Sequence, residues 1–403
     1  MKEKRSLRSS PAVQSIAASV ICILIGLAAG LAVLLIINPE HAVRDGFLLI
    51  LQGGFYMAPT GVGTELANAA PLIMCGLSVA FAFKTGLFNI GAAGQYTVGA
   101  FGALYFAIVL GMPWWVCLLA ATVFGAVWGA VPGLFKAYLN VNEVITSIMF
   151  NWIGLYAVNE IIYGGGRGVM YDSASTKSYV LRTKFPQAVI PGGGGDGFMG
   201  GIFKMPSTTI AIFLAVAVAV LMYVVLQKTT FGYELKACGH NRSAAMYAGI
   251  NAKRNIVLAM VISGALAGFG AGLFYLSGVA EWNPQASTAL PAMGFNGISV
   301  ALLAASHPIG TIFSALLISH ITVGGGYMPT KYFTKEIADV ITGIIIYLCA
   351  FALLFKHWIG TSGLRRRKGE AEAVPASAAE PPASGAGEPP AEQAGEDRKE
   401  GDA

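Results

Sequence analysis

Hydrophobic and polar positions alternate along this chain on the scale of whole helices. Apolar runs of about 20 residues, the length that crosses a bilayer, recur between short polar or glycine-rich breaks. They predict helices at residues 16–37, 65–83, 88–110, 114–135, 143–163, 207–227, 255–276, 290–305, 309–323 and 337–355. The pattern is that of an all-α integral membrane protein with about ten transmembrane helices. Residues 290–305 and 309–323 are short and rich in glycine, and read either as two spans or as a re-entrant pair. Both readings leave the two chain ends on one side.

Charge orients these helices. Lys and Arg gather in cytoplasmic segments of membrane proteins. With both termini cytoplasmic, the inside segments hold 18 Lys and Arg residues and the outside ones eight. One helix more or fewer before the basic loop at 228–254 would put that loop outside, so ten fits best. The first apolar run follows Lys2, Lys4, Arg5 and Arg8 and is 22 residues long. It is longer than the apolar region of a secretory signal and no small-residue cleavage pattern follows, so it reads as a retained helix. The chain thus divides into a basic N-terminus at 1–15, a transmembrane domain at 16–355, a basic juxtamembrane segment at 356–368 and an acidic tail at 369–403. Within the domain, residues 164–206 form the longest external loop, a cap without a packed core of its own.

Composition agrees: 55% of residues are hydrophobic and 12% charged, with a mean hydropathy of +0.64. The net charge of +5 hides two blocks, because the tail carries −7 and the first 368 residues +12. That excess is topology charge and implies no nucleic acid partner. The tail is poor in large apolar residues and reads as disordered. Five cysteines lie far apart and form no metal-binding spacing, so they read as small packing residues.

Candidate chemistry is neutral. Acidic residues before the tail fall in loops or near helix ends, Glu65 among them, and the five histidines are scattered. No Asp/Glu/His relay runs through the core, which counts against an ion-coupled secondary transporter and against a membrane enzyme. No phosphate-cradling loop, HExxH or GxSxG is present, so any ATPase is another polypeptide. The interior instead holds amides. Asn89, Gln95, Asn151 and Asn296 serve either as interhelical glue or as a hydrogen-bonding path for an uncharged polar solute. Trp152 flanks Asn151, and Phe88 and Phe295 offer apolar faces to a sugar or base. Phe88-Asn89-Ile90-Gly91 and Phe295-Asn296-Gly297-Ile298 are a faint internal repeat, each placed near a helix end.

Residues 228–254, KTTFGYELKACGHNRSAAMYAGINAKR, are polar, net +4 and flanked by two uncharged apolar runs. Asn241 is placed to cap a short helix through Ala244 and Ala245 that Gly249 ends. Such a segment is either a solvated connector or a docking element. GYELKACGHNRSAAMYAGIN resembles the coupling loop of ABC-importer permeases of the branched-chain amino acid, ribose and nucleoside type. GLFNIGAAGQYTVGAFGA and PAMGFNGISVALLAASHPIGTIFSALL are similar to that family's glycine-rich third segment and its late pore segment. The third motif is closest to nucleoside or simple-sugar permeases. Lys236 stands where many relatives carry arginine, and the charge remains. The resemblance implies an inward-moving permease in the plasma membrane of a prokaryote, paired with a second permease subunit. It also implies cytoplasmic ATPase subunits that hold the ATP, and an extracytoplasmic solute-binding protein. Tyr233, Glu234, Lys236, Gly239, Asn241, Ala244, Ala245 and Gly249 would form the ATPase-coupling element. Glu234 would pair with a basic residue of the ATPase, and Gly239 would allow a tight turn or close approach.

Overall fold

The structure is a computed structural model that describes residues 11–164, 170–172, 177–194, 197–283, 289–334 and 336–350. The helices that position the sites are α1 (Pro11–Ile37), α2 (Thr60–Lys84), α3 (Ala92–Ile108), α4 (Trp114–Leu139), α5 (Glu143–Asn159) and α6 (Ala211–Lys228). They continue with α7 (Thr230–His240), α8 (Arg242–Tyr247), α9 (Ala252–Tyr275), α10 (Ala292–Leu303), α11 (Pro308–Gly326) and α12 (Glu336–Ala350). Each apolar run expected to span falls on one of them. The end of the last run at 351–355, the juxtamembrane segment, the acidic tail and the first ten residues lie outside the described residues.

Among the described residues, seven helices are long and apolar enough to cross a membrane: α1 over Val20–Ile37, α2, α4, α5 extended to Ile162, α6, α9 and α11. Helix α3 has 17 residues and α10 only 12. At 1.5 Å per residue α10 rises about 18 Å, well short of an apolar layer of about 30 Å. Two full spans therefore do not fit residues 290–323. One long helix, α11, follows one short helix, α10.

Helix α9 is the axis of the bundle and packs against α2, α3 and α4. Lipid tails are as apolar as leucine, so helices in a membrane associate by close van der Waals packing. The α4–α9 crossing uses that route. Gly125 and Gly129 on α4 meet Gly264 and Gly268 on α9, while Gly133 packs on Met260 and Gly272 on Leu118 and Ala121, each glycine set spaced by four residues. A Cβ on Gly264 would lie 3.0 Å from the Gly129 Cα, and one on Gly268 would lie 3.0 Å from the Gly125 Cα.

One expectation needs correction. Helix α3 starts four residues late, because residues 87–90 are not helical. The reason lies at the end of α2. Gly86 takes a left-handed φ of +73°, and the Leu87 and Gly86 amides bond back to Ala82 O (3.1 Å) and Phe83 O (3.1 Å). This glycine-capped stop turns the chain off the helix axis. The described part of the 164–206 segment buries apolar side chains in the bundle. Leu181, Ala188, Ile190 and Met199 are buried in the main core of the bundle. Arg182 Nη2 donates to Pro206 O (2.7 Å) and Ser277 O (2.8 Å), and Trp282 N donates to Ser178 Oγ (2.8 Å). The segment also holds a two-residue antiparallel pair, Tyr171–Asp172 with Lys177–Ser178.

Candidate functional site: an amide knot under a polar cap

Helices α7 and α8 form the polar cap between α6 and α9. Side chains at three N-termini accept from the backbone two or three residues on. Gly232 N donates to Thr229 Oγ1 (3.1 Å), Ala244 N to Asn241 Oδ1 (3.0 Å) and Arg254 N to Asn251 Oδ1 (3.1 Å). These bonds satisfy amides that the first turn leaves open. Gly249 follows α8 at φ +82°, so the short helix sits where Asn241 and Gly249 bracket it. Helix α7 before it is an 11-residue helix capped by Thr229, which the sequence reading did not anticipate.

The cap is seated on the bundle by its small residues. Cys238, Ala245 and Ala252 bury together, and Leu235 is fully buried. Asn255 Nδ2 donates to Glu234 Oε2 (3.2 Å), so the loop's single acid is engaged by the chain's own α9. The Lys236 amine donates to Gln227 Oε1 (3.4 Å). Gly239 lies against the turn that ends α2, where a Cβ would come within 2.8 Å of Gly86 N, Lys84 O and Thr85 C. The close approach is real, and it is to the chain itself. Other side chains face out: Tyr247 is 94% exposed, Tyr233 68% and Met246 50%. Ala244 is exposed beside them.

Beyond Gly86 the chain enters a buried knot of neutral polar groups. Asn89 Nδ2 donates to Gln95 Oε1 (2.8 Å) and Ser263 Oγ (2.6 Å), and Gln95 Nε2 returns a bond to Asn89 Oδ1 (3.1 Å). Ser263 Oγ donates to Ser78 O (2.6 Å). Asn151 spans the start of α3, accepting from Gly94 N (2.8 Å) and donating to Ile90 O (3.1 Å). Asn89, Gln95 and Asn151 are each at most 1% exposed. Of the two readings open for these amides, their geometry here is that of interhelical glue, which pins the non-helical stretch to α2, α3, α5 and α9. Ser147, also fully buried, faces the same region with an unpartnered hydroxyl.

The remaining expected path residues are placed separately. Phe88 stacks on Phe83 (5.0 Å between centroids). Trp152 stacks on Tyr156 on an exposed face of α5, 5.9 Å apart. Phe295 is 38% exposed on α10, with Asn296 half-buried beside it. The faint repeat fails as an equivalence, since Phe88–Gly91 precedes a helix whereas Phe295–Ile298 lies within one.

One charged site escaped the sequence reading. Glu65, 8% exposed, lies 2.6 Å from His320 Nδ1. Glu65 Oε1 also accepts from Gly54 N (2.5 Å), while His320 Nε2 donates to Leu51 O (3.0 Å). The pair ties the 51–54 segment to α2 and α11. The histidines are thus not all scattered, because this one meets an acid 255 positions away in sequence. No local signal marks that pairing, although a lone acid in one apolar run and a lone His in another invite the question.

Residues 62–350 match the family described as branched-chain amino acid transport system / permease component. The chain is 33% identical to the guanosine ABC transporter permease protein NupP of Bacillus subtilis, over 84% of this chain and 94% of that protein. It is 33% identical to the nucleoside ABC transporter permease protein NupB of Lactococcus lactis, over 83% and 91%. It is 29% identical to the glucose ABC transporter permease protein TsgB13 of Haloferax volcanii, over 91% and 95%. No solved structure matches. With its spans, its capped polar loop and this match over most of its length, the chain belongs to the family of membrane permease components of the branched-chain amino acid transport type.

Proposed function

We propose that this chain is the permease subunit of an ATP-driven importer that carries a nucleoside or a simple sugar inward across the cytoplasmic membrane. ATP hydrolysis belongs to a separate cytoplasmic subunit, and a solute-binding protein delivers cargo from outside to a pair of permease subunits. The cargo class rests on what the relatives are named for, guanosine, nucleosides and glucose. The single observation that supports the docking role is the cap. Helices α7 and α8 are each fixed by a side-chain cap, Thr229 and Asn241, yet turn Tyr233, Met246 and Tyr247 to solvent. Aromatic and Met side chains exposed on a rigid, basic element suit a protein interface. The basic content of the loop supports a cytoplasmic position for this face.

In this reading Trp152, Phe88, Phe295 and Asn296 face the cargo, while Asn89, Gln95 and Asn151 hold the helices that carry them. Tyr247→Glu with Met246→Glu should leave the permease level unchanged and reduce ATPase copurification by about tenfold or more, the loss expected of interface anchors. ATP-dependent guanosine uptake should fall with it. Full copurification by the double variant would remove the docking role. Uptake that runs on an ion gradient without ATP would favour the alternative of an ion-coupled transporter.

A further inference from the structure

We propose that movement of the cap enters the bundle through the backbone contact of Gly239 with Gly86, and is distributed by Asn89. This rests on the reading that α7 and α8 dock the ATPase. Two routes lead from the cap into the membrane. One runs through the ends of α6 and α9, which are continuous with it and joined by the Asn255–Glu234 bond. The other runs through Gly239, whose backbone lies against the turn Lys84–Gly86 with no space for a side chain on either glycine.

The second route is the stiffer and the better connected. Contact between backbones leaves no rotamer to absorb a displacement, and packed interiors transmit strain. Gly86 is the left-handed cap of α2, so the push arrives where α2 stops and the non-helical link begins. Three residues on, Asn89 bonds to Ser78 of α2, Gln95 of α3 and Ser263 of α9. One further residue on, Ile90 O is held by Asn151 of α5. A shift of this link therefore loads four helices at once through direct hydrogen bonds, α2, α3, α5 and α9. Such a contiguous, hydrogen-bonded chain is a physical basis for coupling that variants can test. Gly86, Asn89 and Gly239 are positioning residues in this scheme and touch neither ATP nor cargo.

The test uses the complete transporter in proteoliposomes, comparing guanosine uptake per ATP hydrolysed. Gly239→Ala and Asn89→Ala should retain the bound ATPase and its hydrolysis. Both should lower uptake per ATP by about tenfold, within the range that coupling variants produce. Asn255→Ala, which removes the donor that ties α9 to the cap, should keep a near-normal ratio. A normal ratio in both Gly239→Ala and Asn89→Ala, or greater uncoupling by Asn255→Ala, would overturn the route. In case the variants misfold, amide hydrogen exchange on the wild-type transporter gives a second measurement. Trapping the ATPases closed should change protection of residues 86–92, and unchanged exchange there would refute the proposal. Loss of the docking role would show instead as normal ATPase copurification by the Tyr247→Glu, Met246→Glu variant.

Discussion

Helices α2 and α11 run against each other, and a histidine of α11 meets a charged residue of α2 near each end. At one end His320 faces Glu65, with a proton-accepting oxygen at each ring nitrogen. At the other, His307 caps α11, accepting from Gly310 N (3.4 Å), and feels the charge of Lys84. Burial first, and the Lys84 ammonium second, push the His307 imidazole below its ordinary value of 6.5. The same side chain thus ties two segments together in one place and caps a helix in the other. Its neighbours, and not its own chemistry, assign the role.

The contrast breaks most directly at Glu65. Glu65→Ala leaves the Gly54 amide and His320 without their shared acceptor, and should cost about 3–5 kcal/mol, the range for breaking a buried pair. Thermal unfolding in detergent would show it as a large fall in the midpoint, together with a lower membrane level. His320→Gln keeps hydrogen-bonding groups in place and should cost only about 1–2 kcal/mol. If Glu65→Ala were no worse than His320→Gln, the pair would not be holding residues 51–54 to the bundle. The smallest effect belongs to His307. Its folded-state affinity for protons is lowered, so the unfolded chain binds more protons below pH 6.5. Stability present above that pH should decline as the solution is acidified towards the folded-state value. His307→Asn keeps the capping acceptor and should flatten that acid-side decline, moving the midpoint by no more than about 2 °C. An unchanged pH profile would show that the imidazole titrates alike in both states.

Much of the fold was legible because bilayer thickness imposes a minimum length on each apolar run. The short helix α8 was legible for a different reason. Capping is local, and Asn241 and Gly249 act within one turn of the residues they bracket. The α4–α9 crossing left a readable trace too, since glycines recur every four residues from Gly125 to Gly133 and from Gly264 to Gly272. Asn89, Gln95 and Asn151 are buried and Asn296 is half-buried, but the amide chemistry fits a path and a brace equally well. Only the distances among Asn89, Gln95, Ser78 and Ser263 show how this conformation uses them.

The sequence by itself determined that this is a multi-span α-helical membrane protein with a basic, capped loop of permease type. Those properties follow from run length, charge and capping, which act over one to twenty residues. Tertiary structure alone decided that Glu65 meets His320 and that Gly239 rests on Gly86. It also decided that α10 stops short of a full span. Pairings across 255 or 153 positions depend on how the helices pack against one another, and no local preference encodes which two residues will end in contact.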